Sequence, residues 1–124
     1  MKRLLVLLLL LTIGGMAMGQ SEAYRLRVVS WSCKLFANGV LVQGVVKNIS
    51  SRPMSDLRAS VRVIGPGLRM ASNSAALRDR ILTPGRVASF EVRVRTSFNS
   101  VRRCELWFRN PRVAQIPTLV PRPR

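Results

Sequence analysis

Apolar and polar residues alternate through most of the chain beyond residue 23. Successive side chains of a β-strand point to opposite faces, so a period of two predicts strands with one buried face. Tyr24–Cys33 opens the series, with Leu26 and Val28 on one face and Arg25 and Arg27 on the other. In Val40–Asn48, Val40, Val42, Gly44 and Val46 share a face, and Leu41, Gln43, Val45 and Lys47 share the opposite one. Leu57, Ala59, Val61 and Val63 alternate with Arg58, Ser60 and Arg62 in the clearest amphipathic strand. Gly65-Pro66-Gly67 and Pro84-Gly85 are strong turn signals. After them, Phe90, Val92 and Val94 alternate with Glu91, Arg93 and Arg95. The last strand is Val101–Arg109, where Cys104, Leu106 and Phe108 point one way and Arg103, Glu105 and Trp107 the other. Only Asn73–Ile81 has a composition open to a short helix, and it reads equally as a loop leading into an edge strand.

Six or seven short strands with Gly and Pro turns predict an all-β fold, an antiparallel β-sandwich. The arginine-bearing face of each strand is then the outer, wetted face of its sheet. Residues 20–110 make up this domain. From Pro111 the strand period is lost. Pro117, Pro121 and Pro123 lead to a terminal Arg-Pro-Arg, so residues 111–124 read as a disordered or extended tail.

The start of the chain has no alternation. Lys2 and Arg3 precede an unbroken apolar stretch, Leu4–Ile13, and Ala17-Met18-Gly19 supplies the small residues a signal peptidase reads. Residues 1–19 are expected to be a signal peptide cleaved before Gln20, with an uncleaved anchor as the alternative. The segment from Leu4 to Gly19 falls short of the ~20 residues that span a bilayer. The expected location is therefore outside the cytoplasm: periplasm, cell envelope or extracellular space.

Exported chains meet oxidising conditions. Cys33 and Cys104 are the only cysteines, so a disulfide tying the first strand to the last is expected, with two buried free thiols as the alternative. Two thiolates fill half a tetrahedral shell, and the spacing is not that of a Cys-x-x-Cys pair. Neither a metal nor a redox centre is expected.

The segment Val42 to Val94 resembles the FxLYD-type immunoglobulin-like domain of bacterial exported proteins. The resemblance is carried by Val42-x-Gly44-x-Val46-x-Asn48, by Met54, Leu57, Ala59, Val61 and Val63, by Leu82-x-Pro84-Gly85 and by Phe90-x-Val92-x-Val94. The stretch Val61 to Gly65 reads Val-Arg-Val-Ile-Gly, without the Tyr-Asp of the family's naming motif. The resemblance implies an immunoglobulin-like sandwich outside the cytoplasm and no catalytic residues. The residues have physical readings of their own. Gly44 allows close backbone approach within a strand, and Asn48 can satisfy the backbone groups of a turn.

Charge narrows the chemistry. The chain has 21 Lys and Arg against 5 Asp and Glu, no histidine, and a formal net charge of +16. Cleavage would remove Lys2 and Arg3, leaving about +14 on fewer residues. The absence of histidine removes histidine triads, imidazole metal sites and histidine pH switches. The acids Glu22, Asp56, Asp79, Glu91 and Glu105 are scattered, and Asp79 lies between Arg78 and Arg80. Glu91 and Arg93, like Arg103 and Glu105, share a strand face and read as surface ion pairs. No enzyme activity, cofactor or small-molecule substrate is expected. Asn48-Ile49-Ser50 fits a glycosylation sequon.

Arginine outnumbers lysine 18 to 3. Codon composition or solubility would account for that, and so would anion binding, because guanidinium forks suit phosphate and carboxylate. The expected anion-binding surface is Arg58, Arg62, Arg93, Arg95, Arg102 and Arg103. Trp107, beside Arg103 and Arg109 on the outer face, is the best single contact candidate, unless it packs under the tail. Candidate partners are lipid head groups, anionic envelope polysaccharide, extracellular DNA and envelope proteins. A structural subunit pairing through an edge strand or its tail is the alternative function.

Overall fold

The structure, a computed structural model, describes residues 23–112 and 114–124. The expected signal peptide, Met1–Gly19, lies outside the described residues, as does Glu22. Ten strands form in the order β1 (Leu26–Phe36), β2 (Gly39–Asn48), β3 (Met54–Ser55), β4 (Arg58–Ile64), β5 (Met70–Ala76), β6 (Ile81–Leu82), β7 (Val87–Arg95), β8 (Arg103–Arg109), β9 (Gln115–Ile116) and β10 (Thr118–Leu119). One four-stranded sheet has the order β10-β1-β2-β7 and the other β5-β4-β8-β9, while β3 and β6 make a small ribbon. The fold is an all-β sandwich in which the six long strands pair antiparallel.

The inner faces are the apolar sets that alternation marks. Val40, Val42 and Val46 of β2, Phe90, Val92 and Val94 of β7, and Ala59, Val61 and Val63 of β4 are all buried. Phe108 of β8 is fully buried and meets Phe90 across the core edge to face, 5.3 Å between ring centroids. Asn73–Ile81 is not helical. Its first half belongs to β5, an edge strand paired along its whole length with β4. Ala71 and Ala75 pack on the core, and the Asn73 amide between them donates to the Arg93 carbonyl of β7 at 2.8 Å. That bond joins the two sheets along one side.

β1 contains the one break in phase. Its register with β2 runs Val28 to Val46 and then Ser30 to Val45, leaving Val29 as an extra residue. This β-bulge reverses the alternation. Leu26 and Val28 point inward before it, Val29 is half-exposed, and Trp31 points inward after it. Trp31 lies opposite Gly44, whose other neighbour is Phe90. A Cβ on Gly44 would lie 2.6 Å from the Trp31 Cβ and 2.9 Å from the Phe90 ring. It would also collide with the Ser30 carbonyl oxygen, so glycine is needed there because the β1 backbone and two aromatic side chains close over its position.

The bulge also turns Cys33 toward β8, where it forms a disulfide with Cys104, Cα atoms 6.7 Å apart. The bridge couples the sheets on the side opposite β5 and β7. It fits a location outside the reducing cytoplasm.

Of the two readings of the tail, disordered or extended, the structure takes the second. Asn110 reverses the chain by accepting from the backbone N–H groups of Arg112 and Ala114. Gln115–Ile116 then pairs with β8, and after Pro117 the chain crosses to pair with β1 in parallel. Ile116 is buried. The Trp31 indole N–H donates to the Pro121 carbonyl at 2.7 Å, and the Arg124 N–H donates to the Trp31 carbonyl at 2.8 Å. Proline lacks an N–H and suits an edge, so the tail is extended yet cannot form a continuous ladder.

Asn48 is fully buried at the end of β2. Its side-chain amide donates to the carbonyls of Arg52 and Leu82, and its side-chain oxygen accepts from the Ser50 N–H and hydroxyl. Asn48 thus satisfies turn groups as its residue type predicts, but the sequon is no surface acceptor: in the folded chain both amide hydrogens are engaged.

Reduction of Cys33–Cys104, separated by 71 residues, is expected to lower the unfolding free energy by about 4 kcal/mol. Urea unfolding with and without reductant measures this. Gly44→Ala is expected to cost about 2 kcal/mol by overpacking against Trp31 and Phe90, a fall in midpoint read by the same titration.

Candidate functional site

The six arginines of the expected anion surface do not share one face. Arg58, Arg62 and Arg103 belong to β4 and β8, on the outer face of one sheet. Arg93 and Arg95 belong to β7, on the outer face of the other sheet. Arg102 lies in the loop between β7 and β8, its N–H donating to the Ile64 carbonyl. The core separates the first group from the second.

Glu105 organises the first group. One of its oxygens accepts from Arg62 at 2.7 Å and the other pairs with Arg103 at 2.9 Å. The Arg62 hydrogen bond, aided by the charges of Arg62 and Arg103, holds the Glu105 carboxyl below its ordinary value of 4.5, while desolvation opposes the shift. Arg58 bonds instead to the hydroxyl and carbonyl of Ser74 on β5. On the other face Arg93 pairs with Glu91 at 2.8 Å. Asp56 pairs with Arg80 at 3.0 Å. These are exposed pairs, each contributing less than about 1 kcal/mol.

Trp107 is on the outer face, as alternation indicates, and is half-buried. The Arg62 guanidinium lies over its ring, 5.6 Å from the centroid. The arginine on Trp107 is therefore Arg62 of the neighbouring strand, reached through strand pairing, rather than Arg103 or Arg109. The tryptophan bonded to the tail is Trp31.

Topology collects a second set of residues at one end of the sandwich. Here lie the turn between β1 and β2, the loop Gly65–Arg69 between β4 and β5, and the loop Thr96–Arg102 between β7 and β8. None of these three connections contains an acidic residue. Lys34, Arg69, Arg95, Arg102 and Arg103 surround them. Phe98 packs on Gly65, and the Arg69 guanidinium stacks over the Phe98 ring at 5.3 Å. Phe36, Leu68 and Met70 are 56%, 68% and 63% exposed. The opposite end carries Asp56 and Asp79 among Arg52, Arg78, Arg80 and Arg86, so it too is basic but with acids interspersed, and it is knotted around Asn48.

This end was not evident from strand periodicity, which marks Gly65-Pro66-Gly67 only as a stop. A signal was present in the apolar Leu68 directly after that turn, where turn chemistry favours polar residues. No protein-family model matches the chain, and no curated protein matches it either.

The Glu105 link has a testable pH dependence. A carboxyl with a lowered folded pKa contributes stability that is complete above its unfolded value and lost as pH falls through the folded one. Glu105→Gln is expected to be less stable than the parent at pH 7, to begin converging on it as pH falls below the ordinary glutamate value of 4.5, and to meet it only once the folded carboxyl is protonated. Urea midpoints measured across that range check the convergence.

Proposed function

We propose that this chain is an exported, non-enzymatic β-sandwich module that binds an anionic or protein partner in the cell envelope. The reading is carried by the uncompensated positive end of the sandwich. There, Lys34, Arg69, Arg95 and Arg102 flank three acid-free connections, while the nearest carboxylates, Glu91 and Glu105, are already paired with Arg93 and with Arg62 and Arg103. A phosphate, sulfate or carboxylate arriving there meets guanidinium groups of Arg95 and Arg102 that form no ion pair among the described residues. Envelope polysaccharide, lipid head groups and extracellular DNA all present such groups. The resemblance to FxLYD-type domains, resting on the residues quoted above, implies the same kind of extracytoplasmic, non-catalytic module.

A second reading, a structural subunit, draws on the tail. Thr118–Leu119 adds to β1 as a parallel strand within the chain. The same pairing made between two chains would join copies through exchanged tails. Size measurements on the chain with and without Gln115–Arg124 separate the readings, since a tail-dependent oligomer supports the second and a monomer in both forms removes it.

Anion binding has an electrostatic signature. Affinity for double-stranded DNA or an anionic polysaccharide is expected to fall linearly with log salt. The double variant Arg95→Gln, Arg102→Gln is expected to lower the DNA slope by about two, one per lost phosphate contact. Affinity flat across the salt series for DNA, polysaccharide and anionic vesicles alike contradicts the reading.

A further inference from the structure

One exposed residue at the basic end is held in a costly backbone conformation. Leu68 has φ 61, following Gly67 at φ 68 in the turn Pro66–Leu68. A left-handed conformation suits glycine, asparagine or aspartate, and leucine adopts it at a cost. The other non-glycine residue of this kind among those described is Asp56, whose short polar side chain tolerates it. The strain at Leu68 gains no core contact, because its side chain is 68% exposed. Folding alone would favour glycine there. Strain and apolar exposure at one residue together point to a use outside the folded chain.

The surroundings indicate which use. Leu68 and Met70 rim a shallow groove of about 250 Å³ that Ile64, Arg62, Arg103 and Glu105 complete, the Glu105 carboxylate being held between the two arginines. Phe36, closing β1 at the same end, is also exposed, with Lys34 two residues before it. Apolar tips set among cations, with no acid in the connecting loops, are complementary to a surface that is negative outside and apolar just beneath. A polyanion in water satisfies the cations alone and leaves Phe36, Leu68 and Met70 in water. An anionic bilayer satisfies both.

We propose that this end of the sandwich docks on an anionic phospholipid surface, with Phe36, Leu68 and Met70 entering the headgroup layer and Lys34, Arg69, Arg95 and Arg102 pairing with phosphates. This rests on the anion-binding reading and names its partner. Docking uses the Leu68 turn and the strand ends at Phe36 and Met70, and needs no strand to leave either sheet.

The test uses residues 20–124, which carry every strand found among the described residues and the disulfide, and omit the apolar segment Leu4–Ile13. Partitioning is measured onto phosphatidylcholine vesicles with and without phosphatidylglycerol, alongside affinity for double-stranded DNA. Binding is expected only with phosphatidylglycerol present. Leu68→Gly is the decisive variant. It is expected to raise the melting temperature, because glycine relaxes the left-handed turn, yet to weaken vesicle binding about tenfold through the lost apolar contact. Phe36→Ser is expected to weaken vesicle binding similarly, and both variants to keep DNA affinity within about twofold. Arg102→Gln is expected to weaken vesicle binding about fivefold, and Arg52→Gln at the opposite end to leave it unchanged. Phe36→Trp is expected to shift its emission to the blue on anionic vesicles.

Parent-like vesicle binding by Leu68→Gly and Phe36→Ser overturns the proposal. So does a loss for Arg52→Gln as large as for Arg102→Gln. DNA binding without vesicle binding overturns lipid docking and leaves the anion-binding reading standing. Binding to neither DNA, polysaccharide nor vesicles removes both.

Discussion

The phase reversal at Val29 is the constraint on which the rest of the sandwich depends. Strict alternation from Leu26 and Val28 would turn Ser30, Ser32 and Lys34 into the core and Trp31 and Cys33 out of it. One extra residue in β1 prevents this. It places Trp31 under the tail and opposite Gly44, and it aims Cys33 at Cys104. The disulfide, the aromatic cover over Gly44 and the docking of residues 115–124 therefore share one backbone irregularity.

The two sides of the sandwich are closed by different means. On one side β5 lies against β7, and the Asn73 amide bridges them. On the other side the covalent link from β1 to β8 is supplemented by the tail, which pairs with both strands in turn. The two ends differ as well. Asn48 ties three backbone segments together at one end with a fully satisfied buried amide. At the other end Leu68 in its turn and the terminal strand residues Phe36 and Met70 project into solvent. A rigid sandwich presenting loops at one end can meet a partner without rearranging its core.

Most of the charge is local in its effect. Glu105 links two strands by holding Arg62 and Arg103, and Arg62 in turn covers Trp107. These contacts pattern the outer face and add little stability, because water competes for both partners. Since basic residues far outnumber acids, many guanidiniums are left to face solvent. The two ends differ in that the acids are interspersed at one and absent from the three connections of the other.

Strand content, the sandwich class and the apolar faces of β2, β4, β7 and β8 were legible in the sequence, because a period of two maps directly onto the two faces of a sheet. The pairing of Cys33 with Cys104 followed from their being the only cysteines. β5 was less clear: its alanines and serines have little contrast in polarity, and only pairing with β4 makes them a strand. The adjacent apolar pair Val28-Val29 hinted at the bulge, but a doubled valine alone does not say which residue loses its partner. The tail was left between disordered and extended because proline removes hydrogen-bond donors and so erases strand period, while an edge needs only some of them. The sequence by itself determined which side chains must avoid water. The tertiary structure decided which arginines meet, which tryptophan the tail covers and where Leu68 is held, because those depend on register between strands far apart in the chain.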